Sequence, residues 1–328
     1  MTLYTPRNFE LPPPDYRFSG DDNLGIPPYL FSESAVIAID VALATGRPLL
    51  VAGPPGCGKS RLAQAMAAVL KWNFLAKTMT SRTRLEELTV DIDHLRRLHD
   101  AYCAAVPRSL STTPAPPPAA ALKPDAAYYK PGIFWWAFDR KSASRRGLIE
   151  PVTEADGTTL AFPGTERLPP QEDQHTVLLI DEIDKAEPDL PNDLLEPLDR
   201  RSFCLPDETT RQTADSQKLL TVITTNRERE LPRAFLRRCV IIVLDEPDPD
   251  RLRAIAQAHY PQANQARIGA IVEKVVGFRE RAVEQGLRAP GTSEFLDAVC
   301  ACEDLQISVD GGDLWRQIEG AVLLKPMV

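Results

Sequence analysis

Two short runs of residues in this chain have types and spacing suited to chemistry. Gly53, Pro54, Pro55, Gly56, Cys57, Gly58, Lys59 and Ser60 spell G-x-x-x-x-G-K-S, with Arg61 just past it. The run follows the apolar stretch Leu49-Leu50-Val51-Ala52 and precedes a helical pattern. Glycines let the backbone wrap an anion with its N–H groups, and the first turn of the following helix adds the positive end of its dipole. Such a loop holds phosphates, with Lys59 pairing the β- and γ-phosphates and Ser60 offering its hydroxyl to Mg²⁺. The second run is an apolar strand, residues 177–180, that ends in Asp181 and Glu182. Beside a phosphate loop, the first acid reaches the metal shell. The second can polarise an attacking water as a general base.

Two further sites are open to more than one reading. Thr224-Thr225-Asn226 closes another apolar run, and an amide there either lies beside the terminal phosphate or is an ordinary turn residue. Arg237 and Arg238 lead into the last apolar run. They are either surface charge or groups that reach a neighbouring subunit's nucleotide and stabilise transition-state charge.

These residues need a scaffold, and the hydrophobic pattern supplies one. Ser32 offers an N-cap to a helix that carries Val36, Ile37, Val41 and Ala44 and stops at Gly46. A second helix runs from Lys59 to Leu70, with Leu62, Met66, Val69 and Leu70 on one side. Strands are expected at residues 49–52, 74–79, 176–180, 219–225 and 240–244. All are near-continuous apolar runs, the pattern of strands buried on both faces. With helices between them, the pattern describes βαβ units and a parallel sheet covered by helices. After Glu246-Pro247 the chain reads as helix after helix, including the stripe Ile268, Ile271, Val272, Val275 and Val276. Thr292 or Ser293 is expected to cap one of these helices and Asp313 the last.

The 328 residues are 43% hydrophobic and 26% charged, within the globular range and long enough for about two domains. A net charge of −8 argues against a protein that coats nucleic acid. No apolar run reaches the ~18–20 residues of a membrane-spanning helix. The first 20 residues lack the apolar core of a signal peptide. The six cysteines form no Cys-x-x-Cys pair, which fits reduced thiols in a cytoplasmic protein. His94, His99, His175 and His259 make no metal-ligand spacing and are taken as structural.

Lys59 and Asp181 lie 122 residues apart, whereas a helix, a strand and a helix with short loops need roughly 45. An insertion is therefore expected within about residues 82–170. It contains a Pro-rich loop at 107–126 that reads as a linker or loop tip. It also holds the densest aromatic run, from Tyr128 to Trp136, which either packs against the sheet or forms a gripping surface. The expected domains are an N-terminal arm over 1–30, a nucleotide-binding α/β body over 31–246 and a helical lid over 247–328.

Taken in order, Gly-Pro-Pro-Gly-Cys-Gly-Lys-Ser, Leu-Leu-Ile-Asp-Glu-Ile-Asp-Lys-Ala, Thr-Thr-Asn and Phe-Leu-Arg-Arg-Cys, followed by a helical lid, resemble an AAA+ ATPase of the P-loop NTPase fold. Thr45-Gly46-Arg47-Pro48-Leu49-Leu50 is similar to the approach to the P-loop in the MoxR group. The resemblance implies ATP and Mg²⁺ as ligands, Asp181 and Glu182 as Walker B, and Asn226 as sensor 1. It makes Arg238, with Arg237 the alternative, the finger acting in trans. It also implies a hexameric ring of the chain's own protomers and a protein substrate, such as one with a von Willebrand A domain. The implied function is ATP hydrolysis that remodels or activates that partner, with the insertion facing the central pore. A nucleotide-gated switch with little turnover, or a nucleic-acid motor resembling restriction motors, are the alternatives. One departure stands out: the start of the late helix, Ala289 to Glu294, lacks the arginine that many lids present as sensor 2, and Arg288 is the nearest substitute.

Overall fold

A computed structural model describes residues 3–105, 124–148, 160–163, 175–285, 289–309 and 312–323. Its centre is a five-stranded parallel sheet made of β1 (Leu49–Ala52), β2 (Asn73–Thr78), β3 (Thr176–Asp181), β4 (Leu219–Thr225) and β5 (Val240–Val243), in the spatial order β5-β1-β4-β3-β2. β1 and β4 are buried along their whole length and β3 up to its last residue, as continuous apolar runs require. The expectation fails for β5, where only Ile242 is buried and Ile241 and Val243 are exposed. β5 forms one edge of the sheet, so its apolar run is only half covered.

Both faces of the sheet are layered. On one lie α1 (Glu33–Thr45) and α2 (Lys59–Leu70). Ser32 Oγ accepts from the Ala35 amide, and Gly46, with φ of +70°, ends α1. The N-terminal arm completes this core with Phe9, Leu11, Tyr16 and Ile26. It turns back on itself, pairing Arg17–Phe18 antiparallel with Tyr29–Leu30. Buried Asp40 of α1 fastens it, accepting from the Tyr4 hydroxyl, the Arg7 and Asn8 amides and the Asn8 side chain.

The opposite face is covered largely by the segment between β2 and β3. Val90–Ile92 pairs antiparallel with Tyr129–Pro131, flanking α3 (His94–Ala105), and a short helix at Ile133–Phe138 lies under the sheet. Tyr129, Phe134, Trp135, Trp136 and Phe138 are buried in one cluster with Leu178, Ile180 and Ile223, so the aromatic run packs the sheet. Most of the Pro-rich loop lies outside the described residues. In α3 the His99 ring sits 3.6 Å from Cys103 Sγ.

The helices after β5 are α4 (Pro249–His259), α5 (Gln265–Gln285), α6 (Thr292–Asp304) and α7 (Asp313–Ile318), which share a core of their own. The two expected caps shift by one residue or more. Gly291 caps α6, because the Glu294 carboxylate folds back onto the Gly291 amide and draws Thr292 and Ser293 into the first turn. Extended Gly312 precedes α7, so Asp313 is its first residue. Among the described residues, no helix is long and apolar enough to cross a membrane.

Candidate active site

The phosphate loop leaves β1 at Gly53, whose amide donates to the Thr225 carbonyl at the end of β4. A side chain at Gly53 has no room, since a Cβ would lie 2.4 Å from the Leu244 carbonyl oxygen. Gly58, with φ of +93°, turns the chain into α2, whose N-terminus has no side-chain cap. The first-turn N–H groups of α2 therefore receive no cap from a side chain, which suits an anion. Lys59 is buried and curls back into the loop, donating to the carbonyls of Gly53 (2.9 Å) and Pro54 (2.8 Å). The Pro55 carbonyl and Gly56 lie against Gly291. Burial raises the Cys57 thiol above its ordinary pKa despite the nearby Lys59. Arg61 is exposed and donates to Gln64.

Parallel pairing sets the second half of the site. Ile180 is level with Ile223, so Thr224 comes up beside Asp181. The Thr224 hydroxyl donates to Asp181 Oδ1 (2.5 Å) and accepts from the Glu182 amide (2.9 Å). Ser60 Oγ lies 2.9 Å from both Asp181 oxygens, although 121 residues separate the two. Glu182 adopts the left-handed conformation, φ +58° and ψ +50°, and turns the chain off the sheet. Its carboxylate receives Lys185 Nζ at 2.8 Å on one oxygen and Asn226 Nδ2 at 3.4 Å on the other. Asp184, only 3% exposed, accepts from the amides of Asn226 and Glu228 through one oxygen, while its other oxygen has no partner. Sequence reasoning singled out neither Thr224 nor Asp184. Both sit inside the quoted motifs, but only the strand register shows what they touch.

Beside the loop, a cavity of about 580 Å³ opens between the arm, the end of β5 and the C-terminal helices; Pro28, Tyr29, Glu246, His259 and Thr292 are among its walls. Burial lowers the pKa of His259, with the Arg61 charge adding to the effect and the Pro28 carbonyl opposing it. Arg251 of α4 donates to the Leu30 carbonyl and ties the C-terminal helices to the arm. The start of α6 faces the loop with hydroxyls, Ser293 Oγ standing 3.5 Å from the Gly56 carbonyl. Arg288 lies outside the described residues. Arg279 of α5, which the sequence did not single out, reaches this junction, donating to the carbonyls of Pro247 and Pro290 and pairing with Glu246.

Arg237 and Arg238 stand elsewhere. They precede β5, where Val240 pairs with Leu49 at the start of β1, whereas the loop follows Ala52 at its other end. Four residues of strand, about 13 Å, separate the two ends. Arg238 pairs with Asp199 and donates to the Ala234 carbonyl. Arg47 holds the carbonyls of both arginines, and the Arg237 side chain is exposed without a partner among the described residues.

A glycine-rich loop between strand and helix, a hydroxyl and a carboxylate meeting at its edge, and this strand order define a P-loop NTPase fold. The donor set of Ser60 and Asp181, all oxygen, fits Mg²⁺. Residues 48–107 and 143–239 match the family described as AAA domain (dynein-related subfamily), so the α/β body is an AAA domain, and AAA+ ATPases bind ATP and use Mg²⁺. The match skips residues 108–142, a stretch within the segment between β2 and β3 that includes the aromatic run. The chain has no match among curated proteins.

Proposed function

We propose that this chain is a MoxR-like AAA+ ATPase that hydrolyses ATP in a ring of its own protomers and uses the turnover to remodel a partner protein. The observation that carries the reading is the separation of Arg237 and Arg238 from their own phosphate loop. Their position at the far end of β1 and β5, away from the loop of their own protomer, supports a role at a neighbour's site. The stretch that the family match skips supports the subgroup, and the partner of the type the resemblance points to is a von Willebrand A domain protein.

In this reading the residues divide the work as follows. The loop amides and Lys59 bind the phosphates of ATP, and Ser60 with Asp181 would hold Mg²⁺, which would supply neutralisation of phosphate charge. Glu182 takes the proton of the attacking water, Asn226 orients it, and Arg238 or Arg237 of the neighbour offsets the charge that develops. The Glu182–Lys185 ion pair favours a second reading, a nucleotide-gated switch with little turnover.

Light scattering of the Glu182→Gln protein with and without ATP–Mg²⁺ separates them. A nucleotide-dependent ring of about six protomers, with turnover present only in the unaltered chain, is expected. A monomer under both conditions, with tight ATP binding and no turnover in the unaltered chain, overturns the ring reading in favour of the switch.

A further inference from the structure

At the edge of the sheet, Glu182, Asp184, Lys185, Glu228 and Arg229 line a second open cavity of about 550 Å³, closed on its other side by Thr78 to Ser81. The turn after β3 sets its geometry. Glu182 in the left-handed conformation starts a single 3₁₀ turn over Ile183–Lys185, which brings the Lys185 ammonium back over the Glu182 carboxylate, three residues earlier. One carboxylate oxygen takes that ammonium and the other faces the Asn226 amide. A general base needs an oxygen open towards the water it deprotonates. In this arrangement each oxygen already accepts a hydrogen bond, one of them from a cation.

We propose that Lys185 is a positioning residue that restrains Glu182, so that the ion pair must part before the base can act. This rests on Glu182 being the base, as argued above. Two observations make the restraint reversible. The pair is partly solvent-exposed, with side chains 43% and 29% accessible, and pairs of this kind are weak enough to exchange. A second seat for the ammonium lies close by: Glu228 lines the same cavity, as does Asp184. An ammonium that moved there would stay compensated, and Glu182 would keep only the neutral amide of Asn226. Lys185 is thus a residue with no contact to the phosphate loop that sets how much of the enzyme carries an available base.

Steady-state ATPase kinetics of the full chain test this. Lys185→Met keeps the stem and removes the charge, and is expected to raise kcat about two- to five-fold with KM for ATP unchanged, the range an exposed ion pair allows. Lys185→Arg keeps a cation at the same place and is expected to stay at the unaltered value. A Lys185→Met turnover no higher than that of the unaltered chain, zero included, overturns the restraint. So does a Lys185→Arg protein that rises equally. Glu182→Gln run alongside keeps the two readings apart: if it turns over ATP, the base is elsewhere and the underlying assignment fails. If it is inert while Lys185→Met gives no gain, the restraint alone fails.

Discussion

Replacing Thr224 by valine tests whether strand register builds the acidic end of the site. The side chain is fully buried and valine has nearly its shape, so the change puts a methyl in place of the hydroxyl and deprives both of its partners of that hydrogen bond. That oxygen serves two partners, donating to Asp181 Oδ1 and accepting from the Glu182 amide. A hydrogen bond to a charged group is worth about 1.5–3 kcal/mol and one between neutral groups about 0.5–1.5 kcal/mol, so about 3 kcal/mol is at stake. In a domain of this size that lowers Tm by about 6–12 °C. Asp181 also loses the donor that orients it towards Ser60, and loss of such an outer partner costs about 10- to 100-fold in metal affinity or turnover. The assay pairs thermal unfolding with Mg²⁺-dependent ATPase rates for Thr224→Val and Thr224→Ser. The serine variant keeps the hydroxyl and gives up one methyl, about 1 kcal/mol, and is expected to retain most of the activity. A valine protein that melts with the unaltered chain, or a serine protein no more active than the valine one, would refute the reasoning.

Three other perturbations have definite expected outcomes. Lys59→Ala removes the cation held inside the loop and is expected to abolish nucleotide binding by calorimetry; an unaltered affinity would remove the phosphate loop from the mechanism. Gly53→Ala forces a methyl to 2.4 Å from the Leu244 carbonyl, so the loop or the end of β5 must shift, and both Tm and ATP affinity are expected to fall. Burial alone would raise the Asp40 carboxyl, but the hydrogen bonds from Tyr4, Arg7 and Asn8 outweigh it and hold its pKa below the usual value. A depressed pKa contributes stability above the unfolded value of about 4, and that contribution fades as pH falls through the folded value. Asp40→Asn is therefore expected to lower Tm at neutral pH and to converge with the unaltered chain below about pH 4; a constant gap would assign the arm's anchoring elsewhere.

Much of this could be read along the chain because it depends on neighbours in sequence. Gly53 to Ser60 needs a strand before it and a helix after it, and both are local patterns of apolar spacing. The same holds for Asp181 and Glu182 at the end of an apolar run, and for Ser32 and Gly46 at the ends of α1. The misreadings have the same origin. β5 looks like a central strand because Val240 to Val243 are all apolar, and no residue in it records that the sheet stops there. Thr292 and Ser293 are good caps by type, yet Glu294 folding back selects Gly291. The aromatic run was open between core and surface until the sheet above it was in place.

The sequence by itself determined the chemistry available: a phosphate loop, two carboxylates, an amide and a pair of arginines, because residue type and local spacing are written in it. Only tertiary structure decided which of these act together. Parallel pairing of β3 with β4 sets Thr224 beside Asp181, and packing brings Ser60 to the same carboxylate across 121 residues. The pairing of β5 with β1 carries Arg237 and Arg238 to the end away from their own loop. The physical reason is that contacts across strands depend on register and strand order, which arise when the whole chain buries its apolar faces at once.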